Sequence, residues 1–217
     1  MYLIDNKIIF FHFPKTSGTS IIRNTKNEII PPQIRHIGIN HLSYKYYTYP
    51  IFGMIRNPFS FYVSFYNYFR NNKILNSPTK EILFCKYFTE DQNINLDDFE
   101  EVKKDFSKHL KLLLTKGDEH KIQIQIQNYN CGLISRLYQF LYIKNNTDIT
   151  PEITIIKMEE YNKLNKLLSK YNINLTKSTK KINSSKKVDY KLYYTPETIK
   201  LVESYDNKIL EKYNYHF

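Results

Sequence analysis

The sequence predicts an α/β domain in which a mainly parallel central sheet is flanked by helices. Three apolar runs, at 7–13, 50–55 and 153–158, are short and continuous, as is typical of strands buried on both faces. Helical periodicity dominates between and after these runs, and buried strands separated by helices are typical of layered α/β domains. In such sheets, ligands bind beyond the carboxyl ends of the strands.

Three stripes of apolar side chains at helical spacing predict the helices. The first follows the run at 50–55, the second follows the run at 153–158, and the third closes the chain after Thr195 as N-cap and Pro196 at the first helical position. We interpret the stripes as core, because aromatic side chains at helical spacing usually pack. They comprise Phe61, Tyr62, Phe65, Tyr66 and Phe69; Tyr161, Leu164, Leu167, Leu168 and Tyr171; and Ile199, Val202, Tyr205, Ile209 and Tyr213.

The length of 217 residues suits a single domain over 1–217, and 41% hydrophobic residues provide for a substantial core. No apolar run is long enough to span a membrane and no signal peptide precedes the first strand, so we expect a soluble, cytoplasmic protein. The formal net charge of +11 favours an anionic partner. Residues encoded by AT-rich codons abound, however, so the charge alone does not identify that partner.

The first buried strand runs into a polar loop at 14–20, Pro-Lys-Thr-Ser-Gly-Thr-Ser. A helix predicted to begin there offers unpaired N–H groups and a dipole that favour an anion, Lys15 supplies charge, and Gly18 lets the backbone come close. In the nucleotide triphosphatase loop Lys follows the last Gly, whereas Lys15 comes three residues before Gly18, which disfavours a Walker-type enzyme. The alternative is an ordinary capped turn. Further donors are the hydroxyls of Thr16, Ser17, Thr19 and Ser20.

The second buried strand runs into Arg56-Asn57-Pro58, and Pro58 suits the first turn of the helix that follows. Arg56 at the strand end and Ser64 two turns into that helix are placed to bind one phosphate, the guanidinium as a fork and the hydroxyl as a donor. A helix-capping Arg and a buried Ser are the alternative. Two such motifs in order, each after a strand, favour phosphate binding.

At both motifs the chain resembles the sulfotransferases that use 3'-phosphoadenosine 5'-phosphosulfate (PAPS). Their 5'-phosphosulfate loop reads much like P-K-[TS]-[GS]-[GST]-[TS]-[ST], and R-[ND]-P-x-x-R-x-[VI]-S-x-Y binds the 3'-phosphate. Arg56 and Ser64 match the second motif in type and spacing, whereas Phe61 stands where the family commonly has Arg. Looser matches elsewhere are to the glycan-modifying branch that resembles heparan sulfate 2-O-sulfotransferase.

The resemblance implies a P-loop-like sulfotransferase fold and transfer of a sulfuryl group to an acceptor hydroxyl, with 3'-phosphoadenosine 5'-phosphate (PAP) as product and no metal. It implies a carbohydrate acceptor by branch alone; tyrosine, lipid and small-metabolite hydroxyls stay open, as does the oligomeric state. Lys15 is then expected to stabilise the leaving phosphate, because charge builds on the oxygen that bridges it to sulfur.

The catalytic base is expected between the two motifs, where His41 fits a family segment resembling H-x-[TS]-x-x-[EY] better than His36 does. A lone His is more often a satisfied surface or core residue than a catalytic base, and His12 is interpreted as packed in the first strand. Three further residues are candidates: His120 and Gln125 for the acceptor, with the cofactor as the alternative ligand of the Gln, and Lys186 for the nucleotide. Lys186 lies in the lysine-rich stretch 177–187, for which a merely solvated loop is the alternative.

Two other functions compete with this interpretation. A basic module that binds nucleic acid or an anionic polysaccharide without catalysis would explain the charge but not two phosphate motifs at strand ends. No named nucleic-acid motif is present, so we expect no nucleic-acid partner. A P-loop kinase of small molecules is disfavoured by the position of Lys15.

Overall fold

The computed structural model describes residues 1–13, 15–30, 42–71, 94–115, 134–135, 152–175 and 188–217. The chain forms two compact units, each assembled from two separate stretches of sequence. The first consists of Met1–Arg56 and Leu137–Ser184, and the second of Asn57–Arg136 and Ser185–Phe217. The prediction of a single domain over 1–217 stays a prediction.

The first unit is built on a five-stranded mixed sheet in the spatial order β3-β1-β2-β4-β5. β2, β4 and β5 run parallel, and β1 runs antiparallel to both β2 and β3. The carboxyl ends of the three parallel strands therefore lie at one edge of the sheet. The strands are β1 (Tyr2–Ile4), β2 (Ile8–Phe11), β3 (Asn27–Ile29), β4 (Ile51–Ile55) and β5 (Ile153–Lys157).

The sheet contains the three strands that the apolar runs predict, but it is not mainly parallel. Its pairings divide equally between parallel and antiparallel, because β1 and β3 add an antiparallel half. Each of these two strands has three residues, too few to give a recognisable period. Asp5 and Asn6 reverse the chain between β1 and β2 with positive φ angles of 47° and 54°, a backbone region that Asp and Asn tolerate better than most residues.

The described helices are α1 (Gly18–Arg23), α2 (Pro58–Asn71), α3 (Phe99–Thr115), α4 (Tyr161–Ser169) and α5 (Pro196–Tyr213). The three predicted stripes lie on α2, α4 and α5, and the helix expected after the polar loop is α1, whereas α3 is not among the predicted helices. Thr195 is confirmed as the N-cap of α5, where its hydroxyl accepts a hydrogen bond from the Thr198 N–H, and Pro196 follows in the first turn.

The core of the first unit lies between the sheet and the helices α1 and α4. Phe10 of β2 stacks on Phe52 of β4 with ring centroids 4.9 Å apart, and Ile21 of α1 is fully buried against the same cluster. Leu164 and Leu168, from the predicted stripe of α4, are fully buried there as well. Burial of these aliphatic and aromatic side chains stabilises the packing of the sheet against both helices.

The second unit packs α2, α3 and α5 around an aromatic core. Phe59, Phe106 and Tyr194 meet edge to face, and the Tyr194 hydroxyl donates to the Phe59 carbonyl at 2.8 Å. Val202 and Ile209 of the predicted α5 stripe are buried as well. Two of the three helices described in this unit, α2 and α5, are those that the sequence pattern predicts.

Candidate functional site

The polar loop after β2 has an unusual backbone. Lys15 and Ser17 both lie in the left-handed region, with φ angles of 61° and 63°, and Gly18 then begins α1 in right-handed helical conformation. A left-handed residue followed by a right-handed one turns successive backbone N–H groups towards one side, which forms a concavity suited to an anion. The loop that the sequence motif selects therefore has an anion-binding type of backbone.

Within the loop, the two hydroxyls after Lys15 have different surroundings. The Thr16 hydroxyl is buried and donates to the Phe13 carbonyl at 2.9 Å, so it closes the loop on itself. Ser17 is half-buried and occupies the N-cap position, but its side chain makes no capping hydrogen bond to α1. Thr19 is exposed and Ser20 half-buried in the first turn of the helix. The Thr16 hydroxyl therefore stabilises the loop, whereas the Thr19 side chain is exposed.

Gly18 is required by its neighbour His12. A Cβ built on Gly18 would overlap the imidazole ring of His12, whose ring stacks on Phe10 with centroids 5.5 Å apart. His12 lies one residue beyond β2 and is half-buried. Its ring therefore lies directly against the first residue of α1, a packing role beside the loop that the sequence interpretation does not specify.

Arg56 joins the end of β4 to this loop. Its Nη1 donates to the carbonyl oxygen of Lys15 at 3.3 Å, and both side chains are half-buried. The contact is possible because β2 and β4 are parallel neighbours, with Phe11 beside Gly53, so the two chains leave the sheet at the same edge. The structure thus brings together the charged residues of the two motifs.

The electrostatics of this pair are those of two adjacent cations. Burial and the neighbouring Arg56 charge lower the pKa of Lys15 from its ordinary value of 10.5 to about 8. A bound anion would relieve this repulsion and restore the solvation that burial removes. Because α1 has only six residues, the positive potential here comes mainly from these two side chains and only slightly from the helix dipole.

A third basic residue ends the next strand. Lys157 is the last residue of β5 and pairs in register with Ile55, the residue before Arg56. Its side chain is half-buried. The sequence analysis did not select Lys157, although the signal was available, since it ends a predicted parallel strand just as Arg56 follows one.

The rest of the second motif lies in the second unit, which begins at Asn57. The Asn57 side-chain oxygen accepts a hydrogen bond from the Phe59 N–H at 2.9 Å, and its carbonyl accepts from the Phe61 N–H, so Asn57 caps α2. Ser64 is half-buried on the same helix. Phe61, where the family commonly has Arg, is 1% exposed and stacks on Phe65, so this position is core in the present chain.

Tyr66, which matches the last position of the motif, belongs to a buried polar cluster that the sequence does not predict. Its hydroxyl donates to Asp105 at 2.6 Å, and Arg70 contacts the same carboxylate at 2.5 Å. Arg70 also lies 3.0 Å from His109 Nε2. Burial, and then the Asp105 carboxylate, raise the pKa of Tyr66 well above its ordinary value. This cluster joins α2 to α3 inside the second unit.

A second buried carboxylate, that of Asp206, lies on α5 and accepts hydrogen bonds from residues outside this helix. It is 0% exposed and accepts hydrogen bonds from the Tyr62 hydroxyl at 2.5 Å and from the Ser135 N–H and hydroxyl at 3.0 and 2.6 Å. The backbone of Asp206 departs from helical geometry, with φ −112° and ψ 19°, so α5 is kinked at this residue. Three donors satisfy the carboxylate, which is consistent with a structural role.

Several residues selected from the sequence lie outside the described residues. They are the alternative bases His36 and His41, the acceptor residues His120 and Gln125, and the nucleotide residue Lys186. Their assignments stay predictions. In the described part of the chain, no group of His, Cys, Asp and Glu is arranged to hold a metal ion.

Comparisons with protein-family models, with curated proteins and with solved structures found no match for this chain. Within the residues described above, none of the helices combines the length and apolarity needed to cross a membrane. The functional interpretation therefore depends on the two motifs and on the geometry of the loop.

Proposed function

We propose that this chain is a PAPS-dependent sulfotransferase with a P-loop-like fold, and that it transfers a sulfuryl group to a hydroxyl of an acceptor, for which the resemblance to one family branch alone favours a carbohydrate. The observation that carries the proposal is the contact between Arg56 and Lys15. The Arg56 guanidinium donates to the backbone carbonyl of Lys15, so the contact joins residues of two motifs that are 41 positions apart in the sequence, at the carboxyl edge of parallel strands. That edge is where ligands of α/β sheets bind.

The loop residues are proposed to bind the 5'-phosphosulfate. A left-handed backbone at Lys15 and Ser17 supports this role, because such turns expose N–H groups to an anion. Arg56 and Ser64 are assigned to the 3'-phosphate by the second motif. A ligand with phosphate groups at both ends of a nucleoside requires two anion sites, and the sequence supplies two motifs of the right kind.

The proposed reaction is an in-line displacement at sulfur. The acceptor oxygen forms a bond to sulfur while the bond from sulfur to the 5'-phosphate oxygen breaks, and PAP leaves with the added negative charge. Lys15 stabilises that charge, and with a pKa of about 8 its amine is mostly protonated at neutral pH. The acceptor proton passes to a general base, for which His41 remains the sequence prediction and His36 the alternative.

A thermal-shift experiment tests the donor assignment. PAP should raise the melting temperature of the protein in the presence of a metal chelator, because binding to the folded state alone stabilises it. ATP and adenosine 5'-monophosphate at equal concentration serve as controls and should act more weakly. A requirement for Mg²⁺, or a larger shift with ATP than with PAP, would refute the assignment and favour a kinase.

A transfer assay separates the enzyme from a binding module. Radiolabelled PAPS should pass its label to a member of an acceptor panel that contains glycans, tyrosine peptides, lipids and small hydroxylated metabolites. Formation of labelled product by the wild type and not by Lys15→Ala would support catalysis at this site. PAP binding without transfer to any acceptor would leave an anion-binding module as the function.

A further inference from the structure

The loop has a strained backbone conformation that contacts with other residues must stabilise. Lys15 carries a side chain at a φ of 61°, and the left-handed conformation is unfavourable for a residue with a Cβ. Such conformations persist only when the surrounding structure fixes them. Ser17 adds a second residue of this kind two positions on. Specific contacts must therefore keep Lys15 in its left-handed conformation.

Two hydrogen bonds are directed at this turn. On its inner side, the Thr16 hydroxyl donates to the Phe13 carbonyl at 2.9 Å. On its other side, Arg56 Nη1 donates to the carbonyl of Lys15 itself at 3.3 Å. The second bond reaches the loop from a rigid element, because Arg56 directly follows β4, which is paired on both sides by β2 and β5. A donor on a fixed strand end can hold a strained carbonyl in one orientation.

We propose that Arg56 is a positioning residue, which holds Lys15 in the left-handed conformation through the Lys15 carbonyl and thereby shapes the loop for its anion. This role adds to the binding of the 3'-phosphate that the motif assigns to Arg56. The inference rests on the proposed function for the identity of the ligand, but not for the conformation of the loop. Its consequence is that the loop depends on Arg56 even for a ligand without a 3'-phosphate.

The first test examines the loop in the protein without nucleotide. In NMR, the nuclear Overhauser signal between the amide and α protons of one residue is strong when φ is about +60°, because the two protons are then closest to each other. This signal should be strong for Lys15 in the wild type and should weaken in Arg56→Met, which keeps the aliphatic stem but removes the donor. Arg56→Lys retains a donor and should restore part of it. An unchanged Lys15 signal in Arg56→Met would overturn the proposal.

The second test uses adenosine 5'-phosphosulfate, which has the phosphosulfate but lacks the 3'-phosphate. In calorimetry, Arg56→Met should bind adenosine 5'-phosphosulfate about tenfold more weakly than the wild type. This is the size of effect expected for the loss of one hydrogen bond with a charged donor. Arg23→Ala is the matched control, because it removes an exposed arginine from the last turn of α1 and should leave the affinity unchanged. Equal affinities of Arg56→Met and wild type would show that Arg56 acts only on the 3'-phosphate.

The two tests distinguish the possible failures. Weaker binding of adenosine 5'-phosphosulfate together with an unchanged Lys15 signal would assign the effect to the charge of Arg56 and overturn the positioning role. If the wild type bound neither this ligand nor PAP, the proposed function would fail. The NMR experiment on the nucleotide-free protein would still decide what Arg56 does to the loop.

Discussion

The two units differ in the neighbours of their buried and half-buried charged side chains. In the first, Lys15 and Arg56 lie side by side, and each cation disfavours the other. In the second, Arg70 is 9% exposed and its guanidinium contacts the Asp105 carboxylate, which the Tyr66 hydroxyl also contacts. A buried charge requires a compensating partner if the core is to be stable, whereas adjacent cations at a strand edge cost stability and are typical of a binding site for an anion.

The backbone also differs between the units: it is regular at the helix starts of the second unit and strained in the loop of the first. The helices of the second unit begin with regular caps, at Asn57 for α2 and at Thr195 for α5. The loop of the first unit instead places Lys15 and Ser17 in the left-handed region. Strain that serves no packing purpose is most common at functional sites. We therefore expect substitutions in the buried Asp105 cluster of the second unit to change stability, and those at Lys15 to change ligand binding and rate.

The largest effect is expected from Arg70→Ala. Removing one partner of a buried pair leaves the Asp105 carboxylate uncompensated, so the free energy of unfolding should fall by about 3–5 kcal/mol in urea denaturation. The double variant Arg70→Met, Asp105→Leu removes both charges and should lose much less. Lys104→Ala, an exposed change on α3, is the control and should stay within about 0.5 kcal/mol. A loss below 1 kcal/mol for Arg70→Ala would contradict the structural role.

Lys15→Ala should have the largest effect on catalysis. Its ammonium is proposed to stabilise charge that develops only in the transition state, so turnover should fall by about 10²-fold or more while the urea midpoint changes little. Lys26→Ala, an exposed lysine of the same unit, should keep wild-type turnover. Steady-state rates with PAPS and an accepted hydroxyl substrate provide the measurement. A Lys15→Ala enzyme with more than half of the wild-type rate would exclude this role.

A smaller effect is expected from Gly18→Ala, and it should depend on His12. The added methyl group overlaps the His12 ring, and overpacking of this kind costs about 1–3 kcal/mol. In a His12→Ala background the same change should be neutral or slightly stabilising, because Ala is the better helix residue. A double-mutant cycle by urea denaturation measures this coupling. Equal costs of Gly18→Ala in both backgrounds would mean that His12 is not the obstacle.

The smallest effect is a pH dependence of PAP binding. Binding requires the protonated Lys15 amine, whose pKa in the free protein is about 8, so affinity should be constant below pH 8 and fall by up to about tenfold per unit above it. Calorimetry between pH 7 and 9.5 measures this. Lys15→Met should bind more weakly and without this dependence; the same slope in Lys15→Met would assign the proton to another group.

The same pKa gives the opposite sign for the stability of the free protein. Because the folded-state pKa of about 8 lies below the ordinary value of 10.5, the folded state binds fewer protons between these values. The contribution of Lys15 to stability therefore increases as pH rises from about 8 towards 10.5. Opposite pH trends in affinity and stability, both lost in Lys15→Met, would locate the effect at this residue.

Much of the fold was predictable from sequence because its signals are local. Continuous apolar runs gave β2, β4 and β5 to within one or two residues, and the Thr195-Pro196 pair gave the start of α5. The two phosphate motifs also depend on short spacings along the chain. Each of these features is decided by residues close in sequence, where periodicity, capping and turn chemistry act.

Other features were decided only by tertiary structure. β1 and β3 are too short to have a period of their own; β1 is held by pairing with β2, and β3 by pairing with β1, which makes the sheet mixed. The Asp105 and Asp206 clusters join residues that are 35 to 144 positions apart, and no local pattern marks such partners. The contact between Arg56 and Lys15 has the same origin: the sequence determined that two basic residues follow two strands, and only the parallel pairing of those strands brought them together.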